Sequence, residues 1–160
     1  MKTKRIPETM IVEHFGNDHL EPIRPIWEFP IPGFPKPKSG GLWTAPVDSV
    51  NGWREWCENE DFNVWKLEKK FRLEISTKHL LVIDSFDDFE SKMVNPYMEI
   101  GSLGLTEIDW SSLVKTYYGI WLTAKGESET RFSFPYNLYG WDCETVLLFN
   151  EKPIIRVLQK

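Results

Sequence analysis

The chain has 160 residues and a mass of 18.9 kDa; 41% of residues are hydrophobic and 27% charged, and 19 Lys+Arg against 24 Asp+Glu give a net charge of −5. That length fits one domain, 1–160, and the composition is that of a folded chain rather than a disordered one. The negative balance weighs against coating nucleic acid through phosphate neutralisation, and apolar runs of only a few residues exclude a membrane-spanning helix.

The opening MKTKRIPETM has a basic end but no apolar stretch behind it, so no secretory signal is expected. With only two cysteines, Cys57 and Cys143, this points to a reducing, cytoplasmic setting with inert buried thiols. Eight tryptophans are the outstanding feature of the composition. Most should be core, but indoles also line pockets for flat ligands.

In chain order, Thr9–Phe15 (TMIVEHF) reads as a first strand. Residues 22–37 (PIRPIWEFPIPGFPKP) form a proline-rich loop whose missing N–H groups bar it from a central sheet; Trp27, Phe29 and Phe34 are its expected anchors. Gly40–Ala45 (GGLWTA) is a second strand stopped by Pro46, and Asp48 or Ser49 caps a helix over about Val50–Asn59 with Trp53, Trp56 and Cys57 on one face. Phe71–Ile75 and His79–Ile83 are strands, and Ser85 caps a helix running to about Val94. Asp109 caps another helix ending near Lys115, and Gly119–Thr123, Thr145–Phe149 and Ile154–Leu158 complete the strands. Strands with a few short helices define an α+β fold. Neither GxGxxG nor GxxxxGK[ST] occurs, which argues against classical dinucleotide and P-loop folds.

The three histidines (14, 19, 79) and two cysteines make no HExxH, HxxxH or CxxC pair, so no metal is expected, and no GxSxG elbow supports a serine hydrolase. Four features carry the chemistry. His14, at the end of the first strand, can donate a hydrogen bond to a ligand hydroxyl. In GGLWTA the glycines allow close approach of a backbone or ligand, and Leu42 and Trp43 face opposite sides, so that either could be the core residue. Trp53, in NGW ten residues after Trp43, can form the second wall of a clamp on a flat heterocycle. Stacking of a base on an aromatic side chain is worth about 1–3 kcal/mol, and a cationic ring adds about 0.5–2 kcal/mol. Lastly, Asp142 and Glu144 precede the apolar strand TVLLF.

The succession HFG, GGLWTA, NGW and an acid before an apolar strand ending FN resembles the ADP-ribosyltransferase superfamily. Within it, the chain looks most like the histidine–aromatic–glutamate branch of diphtheria-type toxins and poly-ADP-ribose polymerases. The resemblance implies a split antiparallel β-sheet core. It places His14, Gly41, Trp43, Thr44 and Trp53 (with Trp56 as the fallback) around NAD, and Glu144, or else Asp142, as the acid. Tyr118–Trp121 resembles the family's DG-hydrophobic strand, and Leu148–Asn150 with Ile154–Ile155 its closing segment. In the family's spacing the acid falls four residues before Phe149, which is Thr145, so Glu144 is one residue away and would point to the opposite face unless a bulge intervenes.

The implied activity is transfer of ADP-ribose from NAD to an acceptor, a protein more readily than a nucleic acid. The alternative is an inactive scaffold of the same kind that binds a host protein or a nucleotide, such as a phage or mobile element would encode for an inhibitor or adaptor. A glycan- or nucleotide-binding module using the tryptophans as platforms is a third reading.

Overall fold

The computed structural model describes residues 5–27, 36–37, 39–94, 108–134 and 137–158. Seven strands carry it: β1 (Thr9–Phe15), β2 (Leu42–Pro46), β3 (Lys70–Ser76), β4 (Leu80–Ile83), β5 (Gly119–Leu122), β6 (Thr145–Leu148) and β7 (Ile154–Leu158). They are joined by α1 (Trp53–Glu60), a 3-10 turn (Val64–Glu68), α2 (Phe86–Lys92), α3 (Trp110–Thr116) and α4 (Ala124–Thr130). The sheet order is β4-β5-β6-β2-β1-β3-β7, antiparallel at every pairing except the parallel β4–β5. The α+β class is as expected; the parallel pair departs from an all-antiparallel core.

β6 explains why TVLLF reads as an unbroken apolar run. Its residues are buried on both faces, with Leu147 in one core beside Ile120, Trp141 and Phe89, and Val146 and Leu148 in a second beside Val12, Leu73 and Ile75. Two-faced burial removes the polar alternation of a half-exposed strand.

The feature that positions the site is a fork. β1 and β2 share only the registers Val12↔Pro46 and Glu13↔Ala45. From there β2 runs along β6 (Trp43↔Leu147, Thr44↔Val146), while β1 continues along β3 (His14↔Phe71, Phe15↔Lys70). α1 follows β2 and places Trp53 in its first turn.

The termini of the elements show local chemistry at work. Ser85 and Asp109 cap α2 and α3 as expected, each accepting from the N–H three residues on at 3.0 Å. α1 instead starts at Gly52, whose N–H reaches Glu55 Oε2 at 3.1 Å, so neither Asp48 nor Ser49 is its cap. β2 starts two residues late because Gly40 and Gly41 hold φ of +89° and +73°. The first part of the proline-rich stretch packs on them: a Cβ at Gly40 would lie 1.9 Å from the Pro25 carbonyl oxygen. Of the anchors expected in residues 22–37, Trp27 is 65% exposed; its backbone bridges to Ser39. Ile23 and Ile26 pack on the cores instead, and Phe29 and Phe34 lie outside the described residues.

α4 was not expected. Its signal was present in Thr123, which caps Gly126 N at 3.0 Å, and in the i,i+4 pairs Lys125–Glu129 and Glu127–Arg131. Gly126 lets α4 sit on the end of β4, since a Cβ there would lie 2.0 Å from the Ile83 carbonyl oxygen. Helix propensity favours alanine by about 1 kcal/mol, but overpacking against backbone costs about 1–3 kcal/mol. Gly126→Ala is therefore expected to lower the urea midpoint; a raised midpoint would show that α4 can lift away freely.

Candidate functional site

A cleft of about 410 Å³ opens in the fork, within the range of small-molecule sites, about 300–1,000 Å³. His14, Trp43, Thr44, Trp53 and Asp142 all border it. They come from the end of β1, from β2, from the first turn of α1 and from the segment entering β6. The sequence-predicted histidine and both clamp indoles are thus brought together.

His14 ties the two prongs. Its Nδ1 lies 2.8 Å from the Trp43 carbonyl oxygen, and its ring packs 5.2 Å from that of Phe71. A carbonyl only accepts, so Nδ1 carries the proton. Burial lowers the His14 pKa, and the Trp43 carbonyl opposes this only in part. The ring is neutral at pH 7, leaving Nε2 as an acceptor. The expected role of His14 as a donor to a ligand hydroxyl is thereby reversed: the hydroxyl donates and Nε2 receives.

The indoles are braced from behind. Trp43 meets Trp141 edge-on at 5.0 Å and 61°, and Lys36 Nζ lies 5.8 Å from its ring centre. Leu42 packs in one core while Trp43 borders both the other core and the cleft, so the two alternatives for Trp43 are combined. Trp53 stacks on Trp56 at 5.2 Å and 16°. Trp56 supports Trp53 and does not itself border the cleft, which removes it from the ligand-contacting set.

Gly41 also leaves that set. A Cβ on it would meet Leu147 Cδ1 at 2.7 Å and Ile26 Cδ1 at 2.9 Å, and its N–H donates to Arg24 O at 2.8 Å. Close packing of backbone on backbone, rather than a ligand, requires glycine there. The Thr44 hydroxyl donates to Val146 O at 2.7 Å, joining β2 to β6 at the cleft floor.

The two acids part in the non-strand segment that leads into β6: Asp142, Cys143 and Thr145 border the cleft and Glu144 does not. The residue is 8% exposed; its carboxylate accepts from Trp121 Nε1 at 2.9 Å, and its backbone N–H donates to Asn51 O at 2.9 Å. Glu144 is therefore not the cleft acid; no bulge restores it. Asp142 does border the cleft, with its carboxylate 3.8 Å from Arg131, and Arg131 is held in turn by buried Glu127 at 3.2 Å. Glu13 is a second cleft carboxylate, missed in the sequence although a charged residue inside TMIVEHF was its signal. Lys36 and Pro37 bring the end of the proline-rich stretch to the rim.

Both cysteines are free and buried. Burial pushes the Cys143 thiol up to about 12 and raises that of Cys57. Among the described residues, no three His, Cys, Asp or Glu side chains gather as a metal site, and no helix is long and apolar enough to cross a membrane. Comparison with protein-family models, curated proteins and solved structures finds no match in any of the three.

Two outcomes are expected. Trp121→Phe strands the buried Glu144 carboxylate and should cost about 1–3 kcal/mol in urea unfolding, whereas Glu144→Gln keeps an acceptor and should cost less. Equal losses would show that the bond matters little. A thiol raised from 9.0 to about 12 resists thiolate formation, so Cys143 should not react with a disulfide reagent at pH 8 until the chain unfolds. The sign is that of a raised pKa: the associated stability is full below pH 9 and is lost as pH climbs toward about 12.

Proposed function

We propose that the chain binds NAD in the β1–β2 fork and transfers its ADP-ribose to an acceptor, as the resemblance to ADP-ribosyltransferases implies. The observation that carries this reading is the convergence of His14, Trp43 and Trp53 on one cleft. Nicotinamide lies between the two indoles, where its positive ring gains from both π-faces. A ribose hydroxyl donates to His14 Nε2.

Asp142 is the carboxylate assigned to the reacting ribose. The C1′–N bond breaks with its electron pair leaving on nicotinamide, positive charge grows on the sugar, and a nearby carboxylate favours that transition state over the ground state. The acceptor then attacks C1′ and loses its proton. The net charge of −5 favours a protein acceptor over a nucleic acid, in a cytoplasmic setting.

A second reading rests on a specific observation: Glu144 is turned away and engaged by Trp121, with Thr145 in its place in the cleft. On this reading the chain is a scaffold that holds NAD or a partner without turnover.

Incubation with NAD distinguishes them. At a hundredfold excess over Kd, binding stabilises by about 2.7 kcal/mol, a melting shift on the order of 5–10 °C for this size. Transfer predicts the shift together with released nicotinamide. Asp142→Asn should then cut release by about a hundredfold or more, Glu144→Gln should leave it nearly unchanged, and Trp53→Ala should weaken binding. A shift with no nicotinamide selects the scaffold; no shift removes NAD from both readings.

A further inference from the structure

We infer that the surface next to the cleft carries a diphosphate-binding subsite built from Arg54, Lys70 and Arg72 around Glu13. The alternation of β1 puts Glu13 and Phe15 on one face, and the registers Glu13↔Arg72 and Phe15↔Lys70 put both β3 cations on that same face. α1 contributes Arg54, whose guanidinium lies 5.3 Å from the centre of the Phe15 ring. Glu13 and Phe15 both border the cleft; Arg54, Lys70 and Arg72 do not line it but contact these two residues, which puts the cluster next to the cleft.

Three cations are more than one carboxylate needs. Arg72 Nε donates to Glu13 Oε1 at 2.7 Å, a full hydrogen bond. Lys70 Nζ and Arg54 Nη2 stay at 3.6 and 3.9 Å from the carboxylate, attracted but not hydrogen-bonded to it. Among the described residues neither makes a hydrogen bond to another oxygen, so their donors are available to a ligand. Glu13 is 8% exposed, whereas Arg54, Lys70 and Arg72 are 36%, 33% and 44% exposed, so the acid is the buried tether and the cations are the accessible groups. The next acid along the face, Glu74, is taken by Arg156 at 2.8 Å. Within these ion pairs the four cations outnumber the two acids, leaving a local surplus of two positive charges in a chain whose net charge is −5.

That surplus equals the charge of a dinucleotide's pyrophosphate, and two guanidinium groups with one ammonium suit its several oxygens. The identity of the diphosphate as part of NAD rests on the reading above; the anion subsite does not. The subsite sits on the Glu13 side of the fork, so it would hold the phosphates while the indoles hold the base.

Thermal-shift titrations with inorganic pyrophosphate, NAD and nicotinamide riboside test it on the full chain. Arg54→Gln and Lys70→Gln are the variants, because neither removes the hydrogen bond to buried Glu13. Pyrophosphate should stabilise the wild type and neither variant. Each variant should bind NAD about tenfold more weakly and nicotinamide riboside as the wild type does. Pyrophosphate binding without NAD binding upholds the subsite and removes the dinucleotide reading. No pyrophosphate effect on the wild type, unaltered NAD binding in both variants, or equal weakening of NAD and nicotinamide riboside overturns the subsite.

Discussion

A single hydrogen bond, from His14 Nδ1 to the Trp43 carbonyl, fixes the geometry on which the cleft depends. It spans the point where β1 and β2 have stopped pairing and each follows a different neighbour. Without such a tie the two prongs would leave unpaired backbone at the mouth of the fork, which burial penalises. The bond also selects the imidazole tautomer, and through it the direction in which Nε2 can interact. One contact thus sets the width of the opening and the polarity of one of its walls.

The segment entering β6 decides what chemistry the opening can hold. Asp142, Cys143 and Thr145 border it, whereas Glu144 is held elsewhere by the Trp121 indole N–H. One position in this segment separates the cleft from a buried setting beside Trp121. A hydroxyl at position 145 offers hydrogen bonding without charge. The carboxylates that do reach the cleft, Asp142 and Glu13, are both held near arginines. Each cleft acid is therefore paired with a cation, an arrangement suited to a ligand that carries both signs of charge.

Local rules made most of the fold legible. β1 and β7 match their expected limits, and the Ser85 and Asp109 caps are direct expressions of side-chain oxygen meeting a free backbone N–H. The clamp indoles and His14 were also legible, because their types and spacing are local. What was not legible depends on contacts distant in sequence. Gly41 looks like a ligand-approach glycine until Ile26 and Leu147 are seen against it. The Trp56 ring shares a helical face with Trp53, yet the stack between them leaves only Trp53 at the cleft. Glu13 gains its three cations from β3 and α1, which no window around TMIVEHF contains. The parallel β4–β5 pair likewise follows from packing across the sheet rather than from either strand's sequence.

The strand order has a kinetic corollary. β1 and β2 are separated by residues 16–41, β4 and β5 by residues 84–118, β5 and β6 by residues 123–144, and the remaining sheet neighbours are not consecutive in the chain. No neighbouring pair in this order is joined by a tight hairpin, so every ladder closes a long loop and loses chain entropy before its contacts form. Such non-local topologies refold in milliseconds to seconds rather than microseconds. The fork is assembled from elements drawn from both ends of the molecule, and so it can mature only when the slow, global step is complete.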